Sequence, residues 1–376
     1  MQKPCESAHM PPFCRADRQH NRALRLASKG RFEDAARQFE HVLELRPADP
    51  ALHLNYGLAL AELGRYEESV GTVQQAARLD PSNAVFPMFL GTVHLDFGHS
   101  GRAAQALEKS LELDPENALA QAYRLLAGWD QGAAEESARE LAKQEFPLST
   151  RFEARLLLRL EQQPGWTAIP SREQGADSAA SRAGRKSKRL SDKALALAAH
   201  GRFEKVLQLI EEAAEMSPRA PHLAAAAGEV CDKAQQAMEA MPEDRRQGML
   251  HAMGCACFTA GLPERGAECM LEWLKAQDAR PDGPGGGEDL QVALYVLASG
   301  ELAGANNAGA AKHLERLRSM EPEEPAVELM LGKALVGVGE TAGARRAFER
   351  LLGLSPLYAR QRLREVVEAK EAATGS

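Results

Sequence analysis

Aromatic side chains are scarce in this chain, at 5% of residues against 44% for the hydrophobic set as a whole. Apolar surface is therefore supplied mainly by Ala, Leu and Val, which suits close helix–helix contact and points to an all-α composition. Cysteine is scarce too. Six residues (Cys5, Cys14, Cys231, Cys255, Cys257 and Cys269) in 376 are too few for a disulfide-dense secreted scaffold and fit a reducing, cytoplasmic setting. No uninterrupted apolar run reaches the roughly 18 residues of a membrane-spanning helix. The opening "MQKPCESAHMPPFCRADRQH" has no apolar core of signal-peptide length, so standard export is not expected. Positive charge is not in excess: the net charge is −7 and the pI about 5.9, which gives the whole chain no electrostatic pull on nucleic acid.

Catalytic signatures are missing as well. "PDGPGGGED" lacks the Gly-Lys-Ser/Thr ending with which a phosphate loop holds phosphates and magnesium, and no strand precedes it. "GHSGR" at Gly98 only approaches a nucleophile elbow, since its fifth residue is Arg and it sits at a helix turn. No His-Glu-x-x-His occurs, and nothing assembles a base, a nucleophile and an oxyanion donor. The expectation is a chain that is not an enzyme and binds no cofactor.

What is present is a period. "GRFEDAARQFEHVLELRPADP" from Gly30 returns as "GRYEESVGTVQQAARLDPSN" from Gly64, and Gly30, Gly64, Gly98 and Gly132 follow one another at intervals of 34, as do Pro47, Pro81 and Pro115. A fixed period of this length marks a solenoid whose units cover one another's apolar faces. In each unit two stretches of helical periodicity flank a glycine able to turn the chain, and a proline ends the second. Two antiparallel helices per unit follow.

Small residues recur where paired helices must approach closely: Gly57 and Gly91 in first helices, Ala35 and Ala103 in second ones. Each unit resembles a tetratricopeptide repeat, with a small residue at position 8, Gly at 15, an aromatic at 17, Ala at 20 and Pro at 32. "LNYGLALAELGRYEESVGTVQQAARLDP" carries Gly57, Gly64, Tyr66, Ser69, Ala76 and Pro81 at positions 8, 15, 17, 20, 27 and 32. The resemblance implies an all-α fold, a right-handed α-solenoid of antiparallel helix pairs.

The expected organisation is a disordered N-terminus over residues 1–15 and an N-terminal repeat block over 16–162. Its fourth unit is degenerate, with Gly128 and Trp129 interrupting the first helix, and an extra helix "TRFEARLLLRLEQQ" ends it. Residues 163–189, rich in Pro, Gly, Ser and Ala, read as a flexible basic linker. A second repeat block spans 190–356, and 357–376 form a capping helix and tail with a charged, solubilising side. Inside the second block the register slips. Gly228 and Gly254 both look like position 8 yet lie 26 apart, which leaves either a short unit or a single unpaired helix. The last unit is clear, with Gly332, Gly339, Ala344, Phe348, Leu351 and Pro356 at positions 8, 15, 20, 24, 27 and 32.

In such repeats the first helices line a concave surface through positions 2, 5, 9, 12 and 13. Carried onto this chain, the partner-binding residues are His20 and Leu24 in the first unit, Leu54, Leu58 and Glu62 in the second, and Val85, Met88, Thr92, Leu95 and Asp96 in the third. The stripe is largely apolar, so the resemblance implies a protein partner that presents an amphipathic helix or an extended apolar segment, with the chain as an interaction scaffold or assembly factor. Members that clamp a C-terminal carboxylate use Lys, Asn and Arg where this chain has His20, Leu24, Val85 and Phe89. Only Asn55 matches, so a carboxylate ligand is not expected. Two other readings compete. The run "RAGRKSKR" (182–189) could bind phosphate, making the chain a nucleic-acid-binding repeat, although it has no aromatic for base stacking. Cys255, Cys257 and Cys269 beside His251 could act as a metal or redox sensor. Against a metal set, Cys257 points about 200° around the helix from Cys255.

Overall fold

The structure, a computed structural model, describes residues 12–143, 149–163, 166, 182–198, 203–217, 220–278 and 287–374. Residues 1–11, 167–181 and 281–286, which hold most of the expected disordered N-terminus, part of the expected linker and most of the glycine-rich loop, lie outside it. Nineteen helices and no strand make up the secondary structure of the described residues, and none of these helices is long and apolar enough to cross a membrane. The chain is an all-α solenoid of antiparallel helix pairs. Packing divides it into two compact units: residues 1–152 with 367–376, and residues 153–366.

In the first unit, pairs are formed by α1 (Pro12–Ser28) with α2 (Phe32–Leu45), α3 (Pro50–Glu62) with α4 (Tyr66–Leu79), α5 (Val85–Asp96) with α6 (Ser100–Leu113), and α7 (Ala118–Asp130) with α8 (Ala134–Lys143). The turn inside each pair is made by a left-handed residue: Gly30 (φ 73°), Gly64 (77°), Gly98 (76°) and Gly132 (104°). Glycine, which has no Cβ, takes this backbone conformation at no steric cost, which explains the glycine period. Helix starts are fixed locally as well. Asp49 accepts hydrogen bonds from Ala51 N and Leu52 N ahead of Pro50, and Asn117 accepts from Ala120 N. Position 20 is crowded as expected: Ala35 and Ala103 are fully buried, and where Ser69 replaces alanine its hydroxyl donates to Gly57 O at 2.7 Å. The fourth unit is not degenerate. α7 runs unbroken through Gly128 and Trp129, because the indole turns inward (5% exposed) and the Gly128 backbone faces only Ser137.

In the second unit, α10 (Arg182–Ala198) pairs with α11 (Phe203–Met216), α13 (Glu243–Thr259) with α14 (Pro263–Asp278), α15 (Glu288–Ala303) with α16 (Asn307–Met320), and α17 (Pro325–Val338) with α18 (Thr341–Leu354). α12 (Pro221–Met238) stands alone against α10 and α11, and α13 reaches back to α11. The slipped register is thus a single unpaired helix. Gly261 (φ 87°) and Gly339 (87°) make left-handed turns here, and at the corresponding point before α16 the residue is Ala305, at φ 58°.

One boundary differs from the sequence expectation. α10 begins at Arg182, so the basic end of the expected linker is helical. Ser187, fully buried, donates to Ala213 O at 2.9 Å and so docks this helical start onto α11. The final helix, α19 (Tyr358–Thr374), carries charge on one side, with Arg364, Glu368 and Glu371 exposed, and buries the other. Ala359, Leu363 and Val366 share one face and are 0%, 3% and 1% exposed. Within the second unit α19 meets α9 (Thr150–Gln162) and the residues after it: Arg360 Nε lies 3.4 Å from Glu153 Oε1 of α9, and Arg362 Nη2 donates to O of Trp166, just beyond α9, at 3.1 Å. Lys333 of α17 lies 3.6 Å from Glu161. α9 is buried along nearly its whole length, and burial raises the Glu153 carboxyl while Arg360 pulls it back down.

Candidate interaction surfaces

Helices α1, α3 and α5 carry the residues expected to line a groove. Leu24 and Val85 are exposed (40% and 38%), and His20, Leu54, Leu58, Glu62 and Asp96 are half-buried. His20 is held in place: its ring edge meets Phe39 at 6.0 Å, and its nitrogens lie 3.4 Å from Arg46 Nη2 and Asn55 Nδ2. Burial, then the Arg46 charge, lowers its pKa.

Met88, Thr92 and Leu95 differ from expectation, at 5%, 2% and 5% exposed, so they belong to the core and not to an open stripe. The reason lies in α5 itself, "VFPMFLGTVHLD", which is apolar on every side and packs against α3, α4, α6 and α7. Inside this core Tyr66 Oη and His94 Nδ1 are 2.9 Å apart, with Arg102 Nη1 donating to the same hydroxyl at 3.3 Å. Burial, followed by the Arg102 and His99 charges, brings His94 down to about 4.

The same repeat positions open into a cavity in the second unit. Positions 9, 12 and 13 of α13 are Cys255, Phe258 and Thr259. Positions 2 and 5 of α15 are Val292 and Tyr295, and position 2 of α17 is Ala326. These line a cavity of about 450 Å³. Phe258 and Tyr295 meet edge to face, with centroids 5.9 Å apart and planes at 90°. Glu288, Glu321 and Glu324 also line it, and no lysine or arginine does among the described residues. The arrangement suits an apolar anchor flanked by cationic groups. Sequence reasoning missed this site because it transferred the groove positions only to the first three units. The signal was present in Gly254 and Gly332, which set the register of α13 and α17.

A larger cleft, about 730 Å³, lies between α11 and α13 where α12 lacks a pairing helix, and includes Phe203, Lys205, Met241, Arg245 and Met249. In the expected basic run, Arg185, Lys186, Lys188 and Arg189 are exposed on α10. The expected cysteine cluster does not assemble. Cys255 lies 4.0 Å from His251 Nδ1, whereas Cys257, two residues on and so on the opposite face, meets Cys231 of α12 with 2.9 Å between sulfurs. Among the described residues no three His, Cys, Asp or Glu side chains are grouped to hold a metal ion.

A sequence-family model described as tetratricopeptide repeat matches residues 20–84, 90–148 and 295–359, together about half of the chain. No curated protein matches it. Among solved structures, it is similar to the second TPR domain of human RPAP3, determined with an HSP70 peptide, at 24% identity over 31% of this chain and 98% of that one, with a TM-score of 0.30. It is similar to the Sgt2 TPR domain of Aspergillus fumigatus at 19% identity, over 39% of this chain and 93% of that one, with a TM-score of 0.31. It is also similar to the Yersinia enterocolitica type III secretion chaperone SycD, in complex with a peptide of the translocator YopD, at 19% identity, 33% and 93% coverage and a TM-score of 0.27.

Proposed function

Because this chain belongs to the tetratricopeptide repeat family, we propose that it is a noncatalytic interaction scaffold, and that its principal site is the cavity lined by α13, α15 and α17. The observation that carries the reading is the Phe258–Tyr295 pair at groove positions 12 and 5, set in a cavity whose charged lining residues are all glutamates. A side chain entering it would bury apolar area against two rings, while Lys or Arg beside that anchor would meet Glu288 and Glu321. The partner is accordingly a protein segment, extended or helical, with an apolar anchor and basic flanks. The stripe of Leu24, Leu54, Leu58, Glu62, Val85 and Asp96 around His20 is proposed as a second contact surface. The few cysteines favour work in the cytoplasm.

The test is selection of a displayed random-peptide library on the immobilised full chain. Enriched peptides should pair an aromatic or aliphatic anchor with Lys or Arg. Tyr295→Ala should weaken them about 30-fold, the size of a central aromatic contact of about 2 kcal/mol. Glu288→Gln with Glu321→Gln should weaken basic-flanked peptides selectively and flatten their salt dependence. Peptides that bind Tyr295→Ala as well as they bind the parent would place the site elsewhere.

A further inference from the structure

We propose that Cys231 and Cys257 form a redox-active dithiol which closes to a disulfide when the protein meets a peroxide, fastening the unpaired helix α12 to α13. The two sulfurs are 2.9 Å apart, both residues are 0% exposed, and no other thiol is placed so close to a second one among the described cysteines. The slipped register brings them together. Both occupy position 11 of a first helix, and because one second helix is missing they are separated by 26 residues, where regular units would set them 34 apart. α12 has no pairing helix of its own, so this contact ties it to the next unit.

The two thiols are chemically unequal. The hydrogen bond between the two sulfurs, followed by the nearby Arg265 guanidinium held by Asp232, lowers the Cys231 pKa. The same hydrogen bond and burial raise Cys257. Burial pushes Cys255 up to about 11 and Cys269 up to about 12, leaving both protonated and slow to react at neutral pH. Cys231 is thus the attacking thiolate. It displaces hydroxide from hydrogen peroxide, forming the Cys231 S–O bond of a sulfenic acid as the O–O bond breaks. Cys257 sulfur then attacks Cys231 sulfur, forming S–S, and its proton leaves with the departing hydroxide as water. Two thiols and one peroxide become one disulfide and two waters. A peroxide is small enough to reach a buried pair through local opening of α12.

The experiment treats the full chain with hydrogen peroxide, alkylates the remaining thiols and maps peptides by mass spectrometry. The expected result is a linked peptide holding Cys231 and Cys257, an intact mass lower by about 2 Da, and four of the six thiols still free. Dithiothreitol should restore all six. Cys255→Ser and Cys269→Ser should give the same linked peptide, and Cys231→Ser should give none. Hydrogen exchange in α12 should slow on oxidation of the parent and be unchanged by peroxide in Cys231→Ser. Because the linked peptide is read in the unmutated protein, a poorly folding variant does not affect the outcome. A link through any other pair, or oxygen addition with no link, would overturn the assignment.

Discussion

Gly300 gives the sharpest energetic test of the fold. It lies in the middle of α15, where a Cβ built on it would sit 2.2 Å from Pro263 O and 2.4 Å from Ala267 Cβ, both on α14. Unlike a flexible side chain, that carbonyl belongs to the helix backbone and cannot turn aside. A carbon–oxygen contact needs about 3.3 Å, so α15 would have to retreat by about 1 Å, and gaps of this size forfeit a quarter to a half of each dispersion contact along the interface. Overpacking costs about 1–3 kcal/mol, and against a backbone carbonyl the upper part of that range, about 2–3 kcal/mol, applies, while alanine returns about 1 kcal/mol of helix propensity. Gly300→Ala should therefore lose about 1–2 kcal/mol and lower Tm by roughly 2–8 °C. Gly71, exposed in mid-α4 with nothing within 4 Å of an added Cβ, is the counterpart. Gly71→Ala should gain about 0.5–1 kcal/mol. Because repeat arrays yield locally, hydrogen exchange across α14 and α15 should show the loss in Gly300→Ala along with calorimetry. A Gly300→Ala protein as stable as the parent would show that the two helices are farther apart than described.

Ala305, left-handed at φ 58°, carries about 1–2 kcal/mol of strain that glycine removes at an entropic cost of about 0.4–1 kcal/mol, so Ala305→Gly should stabilise by about 0.5–1 kcal/mol in urea denaturation. Ala344, fully buried at position 20 of α18, should not accept Leu: Ala344→Leu is expected to cost about 1–3 kcal/mol, and unchanged thermal unfolding would mean a wrong register. With the folded pKa of His94 at about 4, below the unfolded value of 6.5, the unfolded chain binds the proton that the folded one refuses. Stability should then fall by about 2–3 kcal/mol as pH drops from 6.5 towards 4, and level off below. In His94→Leu, Tm measured over that range should lose this component.

The features visible in the sequence are those written in one unit and repeated in the next. The glycine period gave the turns at Gly30, Gly64, Gly98 and Gly132, and the pattern of the last unit gave Gly339, while the small residues Gly57, Gly91 and Gly332 gave the close crossings, where an added Cβ would fall within 2.7 Å of Val73, Leu107 or Phe348. Features that depend on distant partners were hidden. α9 was legible only as an extra helix; its Glu153, Arg155 and Arg159 are all buried, and Arg360, which lies against Glu153, is about 200 residues away. Groove positions were transferred by register, but register does not report exposure. Met88, Thr92 and Leu95 occupy groove positions on a helix that is apolar all round, and helices of that kind are buried.

The meeting of α9 and α19 bears on how the second unit would respond to mechanical load. An open repeat array frays from its ends, and tension at its last helix peels it away one repeat at a time, each step needing little force. Here the terminal helix is fastened to the opening one, with Arg362 on Trp166 O across 196 residues of sequence. Tension applied through α19 must shear that clasp, with its partly buried Arg360–Glu153 ion pair, before any repeat between can unwind. The same clasp delays assembly, since it closes only after a long loop has been brought together. Under a pulling probe the second unit should resist as a single body and then give way at once.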